Sequence, residues 1–193
     1  MKMILLQTAV AAAFMGLATP ALAQNVPPAV IAVVDLEKVT SQCNACKTAN
    51  AVLTSQVNAL RARQKALATP LEAEAKTLQA AVTALAGKAP DAALQTRIQA
   101  FQAKQQSGAQ EISRQEQQIQ RNQVYIQQQI AAKLGPIYRQ VMQRRGANMM
   151  VEVSTTLATG AALDASNDVL TALNAALPTI QTTAPAQAAP QGR

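Results

Sequence analysis

The sequence predicts an α+β protein, in which a small β-rich body for association carries a long antiparallel α-helical coiled-coil hairpin, the arm. Two observations lead to this prediction: heptad stripes of Leu and Ile lie on both sides of a turn near residues 87–91, and short β-branched runs lie outside them. The chain has no Trp and only two Phe and two Tyr. Because a large core normally uses aromatic side chains to fill its volume, this composition favours narrow apolar stripes on long helices.

The first 23 residues have the features of a cleavable signal peptide. Lys2 is followed by an uncharged apolar run over residues 4–17, and Ala21-Leu22-Ala23 places small residues at positions −3 and −1 of a cleavage site. The apolar run has about 14 residues, which is short of the roughly 20 needed to cross a bilayer. We therefore expect an exported protein whose mature chain begins at Gln24.

Residues 24–46 and 146–178 are predicted to form the body. In the first segment, the β-branched run 30–34 is typical of a buried strand, and residues 35–39 are typical of a short helical turn. In the second segment we expect a strand at 149–153, a third strand within 155–163, and a last helix that is capped by residues 166–168 and ended by Pro178. The Pro-, Ala-, Gln- and Thr-rich tail, residues 179–193, is expected to be disordered.

Residues 47–145 are predicted to form the arm. Leu53, Leu60 and Leu67 recur every seven residues before the turn, and a line of Ile at the same spacing follows it. The turn contains Gly-Lys-Ala-Pro-Asp at 87–91, so each helix is about 40 residues, or roughly 60 Å, long. Thr69-Pro70 and Gly135-Pro136 are expected to kink or break the helices. Gly146 is a candidate C-terminal cap.

The positive charge of the mature chain is concentrated in the arm. From Lys47 to Lys133 there are 11 basic and 5 acidic residues, a surplus of 6. This surplus favours attraction to acidic proteins or to an anionic membrane surface, although solvated helix faces explain it equally well. The arm has no aromatic residues spaced for base stacking, so we expect no nucleic acid partner.

Cys43 and Cys46 form a C-x-x-C motif at the start of the arm. In an exported protein this spacing favours a local disulfide, and a thiol redox centre is the alternative. The sequence has no His and no second Cys pair, so we expect no metal site. It also lacks a Gly-rich phosphate loop and a G-x-S-x-G motif, and we expect neither a cofactor nor an enzymatic activity.

With its parts in this order, the chain resembles the Skp/OmpH family of periplasmic chaperones. The resemblance rests on Ile-Ala-Val-Val-Asp at 31–35, on the hairpin, and on the runs 150–153 and 168–174. It implies a homotrimer whose bodies associate and whose arms enclose unfolded outer-membrane proteins in the periplasm without ATP. The arms are less basic than this family leads us to expect, which leaves lipopolysaccharide binding open.

Two sets of residues are candidates for binding surfaces. The candidates for oligomerisation lie in the two strands: Val30, Ile31, Val33, Met150, Val151 and Val153. The candidates for contact with an unfolded client protein lie in the arm: Arg61, Arg63, Lys65, Val82, Leu94, Arg114, Arg121, Val124 and Tyr125. Besides the chaperone, the sequence leaves open a coiled-coil adaptor that docks to a folded envelope protein, and a redox protein acting through the two cysteines.

Overall fold

The computed structural model describes residues 27–185, so the predicted signal peptide lies outside the described residues. Its elements, in chain order, are β1 (Ile31–Val34), α1 (Leu36–Gln42), α2 (Asn44–Ala84), α3 (Ala92–Arg145), β2 (Met149–Glu152) and α4 (Ser166–Ala176). Two short 3₁₀ turns, Val153–Thr155 and Ala161–Leu163, lie between β2 and α4. Among these residues, no helix is both long enough and apolar enough to cross a membrane.

The two long helices lie side by side and form the arm. Arg63 of α2 forms an ion pair with Glu111 of α3, whereas Glu74, further along α2, pairs with Lys104. Because the residue further along α2 pairs with the residue that comes earlier in α3, the two helices run in opposite directions. Between them the chain reverses at Ala86 and Gly87, which both have positive φ.

Both ends of α3 are capped. Asp91 precedes the helix, and its side chain accepts a hydrogen bond of 2.8 Å from the backbone N–H of Leu94. At the other end, Gly146 adopts the left-handed conformation, with φ +64°, in which glycine has no Cβ to clash. The helix therefore begins and ends where the sequence pattern changes.

The prediction that Pro70 and Pro136 break the helices is wrong, because both prolines lie inside continuous helices, and a kink at these positions stays a prediction. Thr69 is not an N-cap; its hydroxyl donates to the carbonyl of Lys65 at 3.0 Å within the same helix. Proline removes one backbone donor, but Ala66, whose carbonyl loses its partner at Pro70, is exposed, so water can replace the missing bond. Contacts with the neighbouring helix on both sides of this point favour the continuous helix.

The body contains a parallel two-stranded sheet, in which Ile31 pairs with Met149 and Val34 with Glu152. The predicted third strand within 155–163 is wrong. Residues 153–155 form a 3₁₀ turn instead, and the hydroxyl of Thr155 donates to the Glu152 carbonyl at 2.7 Å. Such local side-chain bonds compete with the hydrogen bonds of a sheet.

The hydrophobic core lies where the body meets the base of the arm. Its most deeply buried large side chains are Val39 of α1, Val141 of α3, and Val169 and Leu173 of α4. Ser166 does not cap α4 with its hydroxyl as predicted. Its hydroxyl accepts a hydrogen bond of 2.9 Å from the N–H of Asp35, which links α4 to the end of β1.

The chain after α4 returns along the arm. Gln129 of α3 accepts a hydrogen bond from the N–H of Gln181 at 2.9 Å and donates one to its carbonyl at 2.8 Å. Asn122 accepts one from the N–H of Ala184 at 2.8 Å. The prediction of a disordered tail is therefore wrong for residues 179–185, because side-chain amides of α3 bind their main chain. Residues 186–193 lie outside the described residues.

Candidate functional site

An exposed apolar surface lies beside the two strands. We call it the body patch, and its large side chains are Val30, Ile31, Met149 and Leu163. Val30, Ile31 and Leu163 also line a cavity of about 380 Å³. A cluster of exposed large apolar side chains at one place on a small body is typical of a surface that another protein covers.

The predicted oligomerisation residues divide between this surface and the core. Val30 and Ile31 are exposed, and the three candidates of the second strand region are half-buried: Met150, Val151 and Val153. Val33 is only 3% exposed and packs inside the subunit, so it cannot contact another chain directly. It is buried because β1 lies between β2 and Asp164, which forms a bridge with Val33.

The interior of the arm is narrow. Leu60, Leu78, Leu94 and Ile126 are buried between the two helices, and most of the remaining arm surface is exposed. The structure therefore contradicts the prediction that Leu94 contacts a client, because it is 9% exposed in this interior. Gly108 of α3 is buried opposite Leu67.

The basic candidates of the arm differ in whether an ion pair neutralises their charge. Arg63 donates two hydrogen bonds, of 2.7 and 2.9 Å, to the two carboxylate oxygens of Glu111. These bonds hold the pKa of Glu111 below its usual value and neutralise much of the charge of Arg63. Of the other four basic candidates, Arg121 is half-buried and three are exposed: Arg61, Lys65 and Arg114.

Three of the predicted client contacts come together near the tail. Arg121, Val124 and Tyr125 line one groove of about 480 Å³, together with Ala184 and Pro185. Val124 is exposed, and Arg121 donates a hydrogen bond to Gln118, a residue one turn earlier in α3. Val82 is also exposed but lies near the turn at the far end of the arm.

The sequence analysis missed the polar side chains that bind the tail. Gln118, Asn122 and Gln129 lie on one face of α3, and we call them the amide row. Asn122 is 3% exposed and donates a hydrogen bond of 2.9 Å to Gln56 of α2, so α2 fixes its orientation. The sequence pattern that could have revealed them is their spacing of four residues and then seven, which places these amides on one helix face. The high glutamine content of the arm obscured it.

Cys43 and Cys46 are joined by a disulfide, with their Cα atoms 5.1 Å apart. Cys43 ends α1 and precedes α2, and its sulfur accepts a hydrogen bond of 3.2 Å from the N–H of Cys46. The two residues are 0% and 2% exposed, so a thiol partner cannot reach the sulfurs in this conformation. Within residues 27–185, no group of three or more His, Cys, Asp or Glu is placed to hold a metal ion.

Comparisons with known proteins agree with this architecture. The model of the family of OmpH-like outer membrane proteins matches residues 30–173. A crystal structure of an OmpH-like protein from Caulobacter crescentus CB15, described as a candidate outer membrane chaperone, has a TM-score of 0.67 and 18% sequence identity. The similarity covers 84% of this chain and 96% of that one, and it shows a shared fold. No curated protein matches the chain significantly in sequence.

Proposed function

Because the chain belongs to the family of OmpH-like outer membrane proteins, we propose that it is a holding chaperone that binds unfolded outer-membrane proteins in the periplasm. The binding needs no ATP, since it depends on many weak contacts with an unfolded chain. The arm and the body patch are the observations that support this proposal. The arm supplies a long accessible surface, and the body patch supplies a place for subunits to join.

The body patch supports assembly into a homotrimer. Its exposed apolar side chains would be covered when copies of the body associate, which would stabilise a body that has few large core residues of its own. Three coiled-coil arms joined at one end would then enclose a cavity. The unfolded client would lie in that cavity, away from other unfolded chains.

Free basic side chains of the arm would speed the capture of clients with acidic segments. Arg61, Lys65 and Arg114 are exposed, and long-range attraction raises association rates at low ionic strength. The same charges would attract lipopolysaccharide or another anionic membrane surface. Sedimentation with anionic vesicles at low and physiological salt tests that second partner, because binding through exposed charge weakens as salt rises.

The body patch can be tested apart from the arm. Val30→Asp places a charge in the body patch, and Val82→Asp places one near the far end of the arm. The two valines are similarly exposed, at 47% for Val30 and 44% for Val82. In sedimentation velocity at equal protomer concentration, we expect the first variant to become monomeric and the second to remain a trimer. A wild-type protein that sediments as a monomer at micromolar concentration would contradict the trimer.

Aggregation of an unfolded outer-membrane β-barrel diluted from urea tests the function itself. We expect the purified mature protein to suppress light scattering at about three protomers per client without ATP. No suppression at several-fold excess, combined with tight binding to a folded envelope protein, would instead support the adaptor. A redox role is not favoured, because both cysteines are buried.

A further inference from the structure

The tail contacts the arm through its main chain. In the four hydrogen bonds between the amide row and the tail, the tail contributes only the N–H and carbonyl groups of Gln181 and Ala184. Gln129 binds both groups of Gln181, and Asn122 and Gln118 bind the two groups of Ala184. Recognition of this kind depends little on the sequence of the bound segment.

A carboxamide suits this task because it carries both an acceptor and donors. A peptide segment outside helices and sheets offers an unpaired N–H and carbonyl at each residue, so one amide side chain can satisfy both groups of one residue. The described tail residues have no regular secondary structure after α4. An unfolded polypeptide presents the same groups along its whole length.

The groove beside the tail has room for a further bound peptide segment. Val124 and Tyr125 provide apolar surface, and the small side chains of Ala184 and Pro185 leave the groove of about 480 Å³ open. The Nε of Arg121 is buried and has no hydrogen-bond partner within residues 27–185. A buried donor without a partner is costly, and a carbonyl of a bound peptide would satisfy it once the Arg121 side chain turns towards the groove.

We propose that the amide row is a binding site for the main chain of unfolded polypeptides, and that the tail occupies this site until a client displaces it. The inference rests on the proposed chaperone function and names one surface that performs it. The site distinguishes unfolded from folded proteins, because a folded β-barrel has its N–H and carbonyl groups paired within the sheet. The tail lowers the apparent affinity for clients by the fraction of time that it covers the row.

The tail and the arm can be changed separately to test this competition. Ala184→Pro removes the N–H that Asn122 binds and leaves the arm unchanged. Since one hydrogen bond is worth about 1 kcal/mol, this variant is expected to bind a labelled unfolded segment of an outer-membrane β-barrel up to about 5-fold more tightly. Fluorescence anisotropy gives the dissociation constant. Thr183→Ala keeps the main chain intact and should bind like the wild type.

Gln129 contacts the tail in the wild type, so its contribution to client binding is measured in the Ala184→Pro background. There we expect Gln129→Ala to weaken binding about 5-fold. Gln140→Ala removes an exposed glutamine elsewhere on α3 and should have no effect. Thermal melting of each variant shows whether the body has remained folded.

The outcomes separate this inference from the proposed function. If the wild type suppresses aggregation but Ala184→Pro binds the segment no more tightly, the tail is a structural strap and the inference is wrong. The same conclusion follows if Gln129→Ala has no effect in that background. If neither the wild type nor Ala184→Pro binds unfolded segments or suppresses aggregation, both the inference and the chaperone function are wrong.

Discussion

Removal of the Cys43–Cys46 cross-link is expected to destabilise the protein by a predictable amount. The disulfide closes a loop of four residues, Cys43 to Cys46. For this length, the loss of chain entropy in the unfolded state is about 6 cal/mol/K, or roughly 2 kcal/mol at 25 °C. For a chain of this size, that change lowers the melting temperature by about 4–8 °C.

The assay is urea unfolding followed by circular dichroism, for the wild type and for the variant with Cys43→Ala and Cys46→Ala. Protomer concentration is held equal, because association shifts the apparent stability. A reductant provides the control: it should lower the midpoint of the wild type and leave that of the variant unchanged. If reduction does not move the wild-type midpoint while thiol titration shows two free cysteines, the reasoning from loop length is refuted.

Further changes test the core, a carboxylate and a helix cap. Leu173→Ala removes a fully buried side chain and should cost about 2–5 kcal/mol in urea unfolding, whereas Leu157→Ala, at an exposed residue, should cost less than about 0.5 kcal/mol. Hydrogen bonds from the first residue of α4 lower the pKa of Asp164, so its contribution to stability is present above its unfolded pKa and is lost as pH falls through its folded pKa. Asp164→Asn should therefore flatten the loss of stability below about pH 4, and an unchanged pH profile would contradict this. Gly146→Ala places a Cβ at φ +64° and should cost about 1 kcal/mol, whereas Gly160→Ala, at negative φ, should be nearly neutral by thermal melting.

The elements that the sequence predicted best are those with a local cause. The strand predicted at 30–34, the turn predicted near 87–91 and the end of α3 at Gly146 each follow from a few neighbouring residues. Such features depend on backbone preference and on hydrogen bonds within one turn. They therefore do not require knowledge of what packs against them.

The predictions that failed depended on distant contacts. Pro70 has a strong local tendency to end a helix, but ion pairs across the arm, such as Arg63 with Glu111, lie nearby and favour a continuous α2. The tail has a composition typical of disorder, yet residues of α3 more than 50 positions earlier bind its main chain. Composition and periodicity describe a segment by itself and carry no information about such partners.

The register of the sheet has a consequence for the order of folding. Ile31 pairs with Met149, so the chain between the two strands, which contains both long helices, must turn back on itself before the strands can meet. Contacts of such large sequence separation form slowly, whereas the turn of the arm can fold from nearby residues. During synthesis, which begins at the amino terminus, β1 stays unpaired until β2 has been made. We therefore expect the body to form its sheet last, on an arm that has already begun to fold.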